Sequence, residues 1–416
     1  MKKDDLDLAI IGSGPSGLAA AVKARQKGIK NLVVFERDER PGGILPQCIH
    51  SGFGLEKFKE ELTGPEYANR YIKMAQDLGI DIQLDSTVLE LGKDRSIKVV
   101  SENKGIRTYN CKTLVLAMGC RERARGSLDI PGTRPAGIFT AGQAQRLINI
   151  EGLMPGKEAV ILGSGDIGMI MARRLTLEGA QVKAVLEILP YTSGLIRNEV
   201  QCLHDFNIPL LLEHTVAEIH GEYRVEGVTV IRVDQRRNPI PGSERFISCD
   251  TLLLSVGLIP ENELTKMAGL AIDLSSGGPY VDELMETRTP GLFACGNVLH
   301  VSDMVDNVSL EGELAAEGAF LRINDKGYVS GGIIDLKADS GISQVVPQRC
   351  TRERDVWLNL RVRDPMGKMK IHVGDIMKTT FASARPGEMI RVKIPKKALQ
   401  ELGPADTTLK LRCEEV

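Results

Sequence analysis

The chain runs to 416 residues, with 53 Lys+Arg against 55 Asp+Glu and a formal net charge of -2. Its length predicts roughly two to three domains whose cores need no staples, and its balanced charge excludes a broad basic surface for nucleic acid. With 42% hydrophobic and 26% charged residues the composition is globular, and 43 glycines are its oddity.

At the N-terminus Lys2 and Lys3 precede an apolar stretch ending in Ala19, Ala20 and Ala21. A signal peptide is not predicted, because Asp4, Asp5 and Asp7 spoil the basic region and Gly12, Gly14 and Gly17 interrupt the apolar one. Residues 6–11 read instead as a buried strand, Gly12-Ser13-Gly14-Pro15-Ser16-Gly17 as a loop and 18–27 as a helix. A second strand, 32–35, runs into Glu36 and Arg37. Residues 111–119 read as another buried strand, through Ala117 to a stop at Gly119.

The layout then recurs. Residues 159–162 form an apolar run, Gly163-Ser164-Gly165-Asp166-Ile167-Gly168 a loop, a helix follows to Glu178, and 182–186 lead into Glu187. Adding 151 to Gly12, Gly14, Gly17 and Glu36 gives Gly163, Gly165, Gly168 and Glu187, all matched in residue type. Residues 249–257 repeat 111–119 at an offset of 138, which aligns Gly257 with Gly119. Further on, 287–297 read as turn, strand and glycine stop at Gly296-Asn297, and 309–321 as a helix. From about 330 the texture changes to alternating strands, read as a separate β-rich domain over 329–416. No run of about 18 apolar residues occurs, so no membrane-spanning helix is predicted.

Eight cysteines are scattered without a CxxC, and neither His nor Cys clusters at zinc spacing. The prediction is therefore no metal site, no disulfide framework and a reducing cytoplasm.

In a strand-loop-helix turn the first glycine allows the bend, the second lets the backbone approach a pyrophosphate, and the third lets helix and strand pack closely. The phosphates sit at the helix N-terminus, where free N–H groups favour negative charge. Glu36 and Glu187 each fall 24 residues after the first glycine of their loop, placed to accept hydrogen bonds from ribose hydroxyls. A 2'-phosphate at the second loop would meet the Glu187 carboxylate, and Ile188-Leu189-Pro190 offers no cation, so NADH is predicted over NADPH.

The two loops with their acids, Leu116-Ala117-Met118-Gly119 and Pro290-Gly291-Leu292-Phe293-Ala294-Cys295-Gly296-Asn297 together resemble the two-dinucleotide-binding flavoproteins of the pyridine nucleotide–disulfide oxidoreductase type, over roughly residues 5–325. The resemblance implies an α/β fold of two nested Rossmann-like three-layer (ββα) domains. FAD would occupy a domain of residues 1–122 and 285–328, NAD(H) an inserted domain that with its connections spans 123–284, and the small β-rich domain would follow. It also implies cofactor contacts from Gly43, Ala117, Gly119, Gly296, Asn297 and Ser309 for FAD, and from Asp166, Ile167 and Gly257 for NAD. In that family Asn297 is an Asp that binds the flavin ribityl chain; an amide can still bond hydroxyls. The helix starting near Val308-Ser309 would aim its N–H groups at the flavin.

A closer likeness lies in residues 42–54, 119–123, 295–300, 346–348 and 386–389. These resemble flavoprotein subunits associated with anaerobic-type glycerol-3-phosphate dehydrogenases and heteromeric sarcosine, opine and dye-linked amino-acid dehydrogenases. The implied function is an electron-transfer subunit passing a hydride between NADH and FAD and serving a partner dehydrogenase subunit.

Disulfide reductases of the family carry CxxxxC after the Gly-Gly; only Cys48 lies in that region, so dithiol chemistry is excluded there. Cys48 is either a flavin-facing thiolate, as in single-cysteine NADH peroxidases, or a small buried residue. His50 and His300 read either as proton donors near the flavin or as ribose or backbone hydrogen-bonders. Three functions stay open: the electron-transfer subunit, a stand-alone NADH oxidase or peroxidase using Cys48, and a non-catalytic subunit with a vestigial second nucleotide site.

Overall fold

The computed structural model describes residues 3–325, 332–403 and 405–416. The chain divides into two compact units, Met1–Cys120 with Pro260–Val416, and Arg121–Ile259.

In the first unit the strands Asp81–Gln83, Leu32–Phe35, Lys3–Ile11, Gly105–Leu116 and Leu292–Ala294 lie in that order and parallel. Gly105–Leu116 is long enough to pair on its other half with the antiparallel strand Ser96–Ser101, which in turn pairs with Ser86–Leu91. Parallel strands covered on both faces need no alternation, which is why Leu8, Ala9, Ile10, Leu114, Val115 and Leu116 are all buried. The helices Pro15–Gln26 and Val305–Ile323 pack on this sheet and on each other; a Cβ at Gly312 would lie 2.1 Å from the Ser16 carbonyl oxygen, so the two backbones meet there.

The second unit repeats the plan. Five parallel strands run in the order Ile138–Thr140, Thr251–Leu254, Glu158–Leu162, Gln181–Glu187, Leu210–Leu212. Alternate residues feed two cores. Ala159 and Ile161 join the helix-side cluster with Met169, Met171 and Leu175, whereas Val160 and Leu162 join the cluster under the antiparallel strands His214–His220, Gly227–Arg232 and Arg245–Ser248. Three layers follow from one strand pattern.

Residues 332–416 form two small sheets of five and three strands around their own core, which includes Leu358, Leu360, Ile371, Ile394 and Leu411. The α/β class with two Rossmann-like sheets and a β-rich C-terminal region is therefore present. The expected boundary at 328/329 lies outside the described residues.

Two details differ from expectation. Residues 260–284 fall in the first unit, where Asn262 Nδ2 donates to the Val298 carbonyl (2.9 Å) and Val281 pairs with Thr287. The helix expected from Ser309 begins at Val305, a turn earlier, because Asp306 and Asn307 are buried within it and do not mark its end.

Candidate functional site

Each unit carries a glycine loop between a parallel strand and a helix. In the first, Gly12 takes φ +102°, and a Cβ at Gly17 would lie 1.9 Å from the Gly12 carbonyl oxygen, so strand and helix touch through backbone alone. A Cβ at Gly14 would meet nothing within 4 Å, which leaves this stretch of backbone open to a ligand. Helix Pro15–Gln26 has no side-chain cap and no acidic residue in its first turn. The positive dipole end of this helix therefore meets no carboxylate from its own first turn.

Glu36 ends the second strand with its side chain buried. Oε2 accepts from the Ser13 N–H and the Ser13 hydroxyl, each at 2.7 Å, and Oε1 accepts from Asp38 N (3.0 Å). Gly42 N donates to Ser13 O (2.9 Å), and a Cβ at Gly43 would lie 2.9 Å from the Gly14 α-carbon, so the segment after Glu36 folds back along the loop. Ala117 is buried and its N–H bonds Ile11 O (2.9 Å), while Arg37 is exposed.

The second loop reproduces this latch. Glu187 Oε2 accepts from Ser164 N (3.1 Å), the Ser164 hydroxyl and Ser193 Oγ (3.1 Å), and Oε1 from Leu189 N (3.0 Å). Gly194 N donates to Ser164 O (3.1 Å), as Gly42 does to Ser13. Ser164 was not singled out from sequence, although the offset of 151 from Ser13 reaches it. Two further groups have no counterpart in the first loop. Asp166 opens the helix Asp166–Leu177, and its Oδ1 accepts from Leu195 N (2.8 Å) and Asn198 Nδ2 (2.6 Å). Ser255 Oγ accepts from Gly168 N at 3.1 Å; the matched residue of the first unit, Ala117, has no such atom. Ile167 lies half-buried against the helix-side core, and Gly257 O accepts from Arg123 N (3.1 Å).

Near the end of the first unit's sheet, Gly296 N donates to Glu311 Oε2 (2.8 Å). Asn297 Oδ1 accepts from Ser302 N (3.0 Å), and its Nδ2 reaches Cys120 Sγ at 3.5 Å. Ser309, expected at a helix start, is fully buried and pairs its hydroxyl with Tyr67 OH at 2.8 Å. The first-turn N–H groups belong instead to residues from Val305 onward. His300 is 1% exposed, and its Nε2 lies 2.6 Å from Glu311 Oε1.

Cys48 follows the short turn Leu45–Gln47, with its thiol directed at Ile44 O (3.4 Å). Burial pushes the thiol up to about 12, so it stays protonated at neutral pH. His50 contacts Ser51 O (3.2 Å) through Nδ1 and stacks 5.0 Å from the Phe53 ring. Gly119 O accepts from Glu261 N at 3.0 Å.

Among the described residues no group of three His, Cys, Asp or Glu is gathered to hold a metal, and no helix is long and apolar enough to cross a membrane.

Residues 6–313 match the family model described as Pyridine nucleotide-disulphide oxidoreductase. Among curated proteins the chain is similar to the glutamate synthase [NADPH] small chain of Escherichia coli, 28% identical over 76% of this chain and 69% of that one. An opine oxidase subunit of Agrobacterium tumefaciens is 27% identical over 76% of this chain, which spans 65% of that protein. In fold the chain resembles the thioredoxin reductase of T. acidophilum (TM-score 0.64, 23% identity, 78% of this chain and 99% of that one). A NAD-dependent persulfide reductase from A. fulgidus covers more of it (TM-score 0.59, 20% identity, 93% of this chain and 70% of that one). With three quarters of its length matched to the family and both latches in place, the chain belongs to the pyridine nucleotide-disulphide oxidoreductase family of FAD- and pyridine-nucleotide-dependent oxidoreductases.

Proposed function

We propose that this oxidoreductase passes a hydride between NADH and FAD as the electron-transfer subunit of a multi-subunit dehydrogenase. The observation that carries the reading is the doubled latch: Ser13–Glu36 and Ser164–Glu187 close the same corner of two parallel sheets. FAD when bound would supply the two-electron acceptor, and the chain contributes binding, orientation and exclusion of water.

The residues of the first loop fit FAD. The bare start of Pro15–Gln26 suits a diphosphate. Three donors on Glu36 leave one of its roughly four acceptor directions for a ribose hydroxyl. The second loop fits a nucleotide held less tightly, since Glu187 already has four donors and Asp166 adds negative charge at the helix start. The choice of NADH rests on the Glu187 carboxylate, which would repel a 2'-phosphate.

A partner dehydrogenase is supported by the relatives named as a glutamate synthase small chain and an opine oxidase subunit. A glycerol-3-phosphate-type dehydrogenase partner is the finer form of the same proposal. The eight free thiols suit a reducing cytoplasm. A peroxidase using Cys48 would need a thiolate, and burial of that thiol opposes one. The filled acceptor set of Glu187 favours one alternative, a second site that binds nucleotide without redox exchange.

Steady-state dye reduction tests the proposal. NADH should give a kcat/KM at least about tenfold above NADPH, the ratio that about 1.4 kcal/mol of charge repulsion supplies. Equal use of the two, or a preference for NADPH, would overturn the nucleotide assignment.

A further inference from the structure

Glu311 is the junction of a buried polar network. One carboxylate oxygen accepts from Gly296 N (2.8 Å); the other accepts from His300 Nε2 (2.6 Å) and from Asn359 Nδ2 (2.9 Å). Glu311, His300 and Asn359 are 3%, 1% and 6% exposed. Gly296 and His300 flank Asn297, and Glu311 lies on the helix that meets Ser16 of the first loop. Asn359, however, comes from the C-terminal strands.

It does not act alone. Asn359 lies opposite Arg391 in the antiparallel pair Val356–Val362 and Ile390–Ile394. Alternate residues of those strands, Leu358, Leu360, Val392 and Ile394, fill the C-terminal core, so the other face is free to carry polar groups. From that face Arg391 Nη1 donates to Asn307 Oδ1 (2.8 Å), and Arg361 donates to Val301 O (3.0 Å) and to the Asp303 carboxylate. Each partner lies between Gly296 and Glu311, the stretch that continues from Asn297 into the helix start. A half-buried sheet face bearing one amide and two guanidinium groups is costly unless its donors find acceptors, and this stretch of chain accepts from all three side chains.

We infer that Asn359, Arg361 and Arg391 are positioning residues of the flavin site, so that the C-terminal strands complete that site as well as dock on it. Through Glu311, Asn359 sets where Gly296 and Asn297 stand against the first glycine loop. Arg361 and Arg391 set where the Val305–Ile323 helix begins. The inference rests on the proposed FAD site of the first unit.

A second tether of similar kind serves as the control. Thr351, also from the C-terminal region, gives its N–H (3.2 Å) and hydroxyl to Glu283, outside the 296–311 stretch. The experiment removes flavin from the full-length protein and titrates FAD back by quenching of its fluorescence, with the apo-protein melting temperature measured in parallel. Asn359→Leu should weaken FAD by about tenfold, through loss of its hydrogen bond to the buried Glu311 carboxylate. Thr351→Val should lower the melting temperature comparably yet change FAD affinity by less than about threefold. If Asn359→Leu does not fold, Arg391→Met takes its place with an expected loss of about threefold, and Arg391→Lys should recover most of it. Equal FAD affinity in the Asn359 and Thr351 variants would overturn the inference while leaving the function standing. Absence of FAD binding by the wild-type protein would overturn both.

Discussion

The two glycine loops share a plan and differ in how much of their binding capacity the protein uses itself. Both place a serine N–H and hydroxyl on the glutamate that ends the next strand, and both fold the following segment back to a serine carbonyl. The first stops there. Its helix starts with Pro15, bears no acid in its first turn, and leaves Glu36 with an acceptor direction to spare. In the second, Ser255 takes one helix N–H, Asp166 puts a carboxylate at the positive end of the helix, and Ser193 supplies a fourth donor to Glu187. A site with its capacity unspent suits a cofactor that stays; one already part-satisfied suits a nucleotide that comes and goes. The difference follows from a few side chains laid on one backbone plan.

The sharpest way to break this comparison is to crowd the loops. Gly17→Ala puts a methyl 1.9 Å from a carbonyl oxygen with no side chain to yield, whereas Gly168→Ala meets Ser255 and Gly163 at 2.7 and 2.8 Å. The first should cost about 3 kcal/mol or more and strip the protein of flavin; the second should cost about 1 kcal/mol, read by melting temperature and flavin content. The acids come next. Glu36→Gln should weaken FAD by about tenfold to a hundredfold, while Glu187→Gln should leave flavin content intact and raise the NADH KM about tenfold.

Smaller effects of opposite sign sharpen the contrast. Ser193→Ala frees an acceptor direction on Glu187, and Asp166→Asn removes the charge while keeping an amide oxygen for Leu195 and Asn198. Each should lower the NADH KM by about twofold to fivefold; a rise in both would mean the second loop is not held back in this way.

The smallest effect concerns Cys48, which lies in the segment after the first loop and is not matched by a cysteine at the offset of 151, where Glu199 stands. Its thiol is raised from 9.0 to about 12 by burial. The folded protein therefore holds that proton more tightly than the unfolded chain. The resulting stability is complete below pH 9 and is lost as pH rises toward 12. Alkylation of Cys48 should stay slow up to about pH 10, and Cys48→Ser should change NADH–dye turnover by less than about twofold.

What the sequence made legible was whatever repeats or alternates. The offset of 151 located both loops and both glutamates, because the latch is local: Ser13 to Glu36 is 23 residues, and Ser164 to Glu187 is the same. Apolar runs located the parallel strands for the same reason. Contacts without local spacing were not legible. Asn359 reaches Glu311 across 48 residues through the register of a separate sheet, and nothing near either residue announces it. The start of the Val305–Ile323 helix was misplaced because its N-cap position is Met304, with no polar capping side chain, and its first turn is buried. Residues 260–284, read as part of the inserted domain and its connections, group with the first unit and are held by isolated bridges such as Ile272 to Pro279 and by single side-chain bonds, which leave no period to read.

One measurement bears most directly on the central claim: anaerobic titration of the FAD-loaded protein with NADH, followed at the visible flavin absorbance. Bleaching complete near one equivalent, largely lost in Glu187→Gln at the same low NADH concentration, is the predicted result. Flavin that stays oxidised with NADH in excess would contradict hydride transfer between the two sites and leave the second loop as a site for nucleotide binding alone.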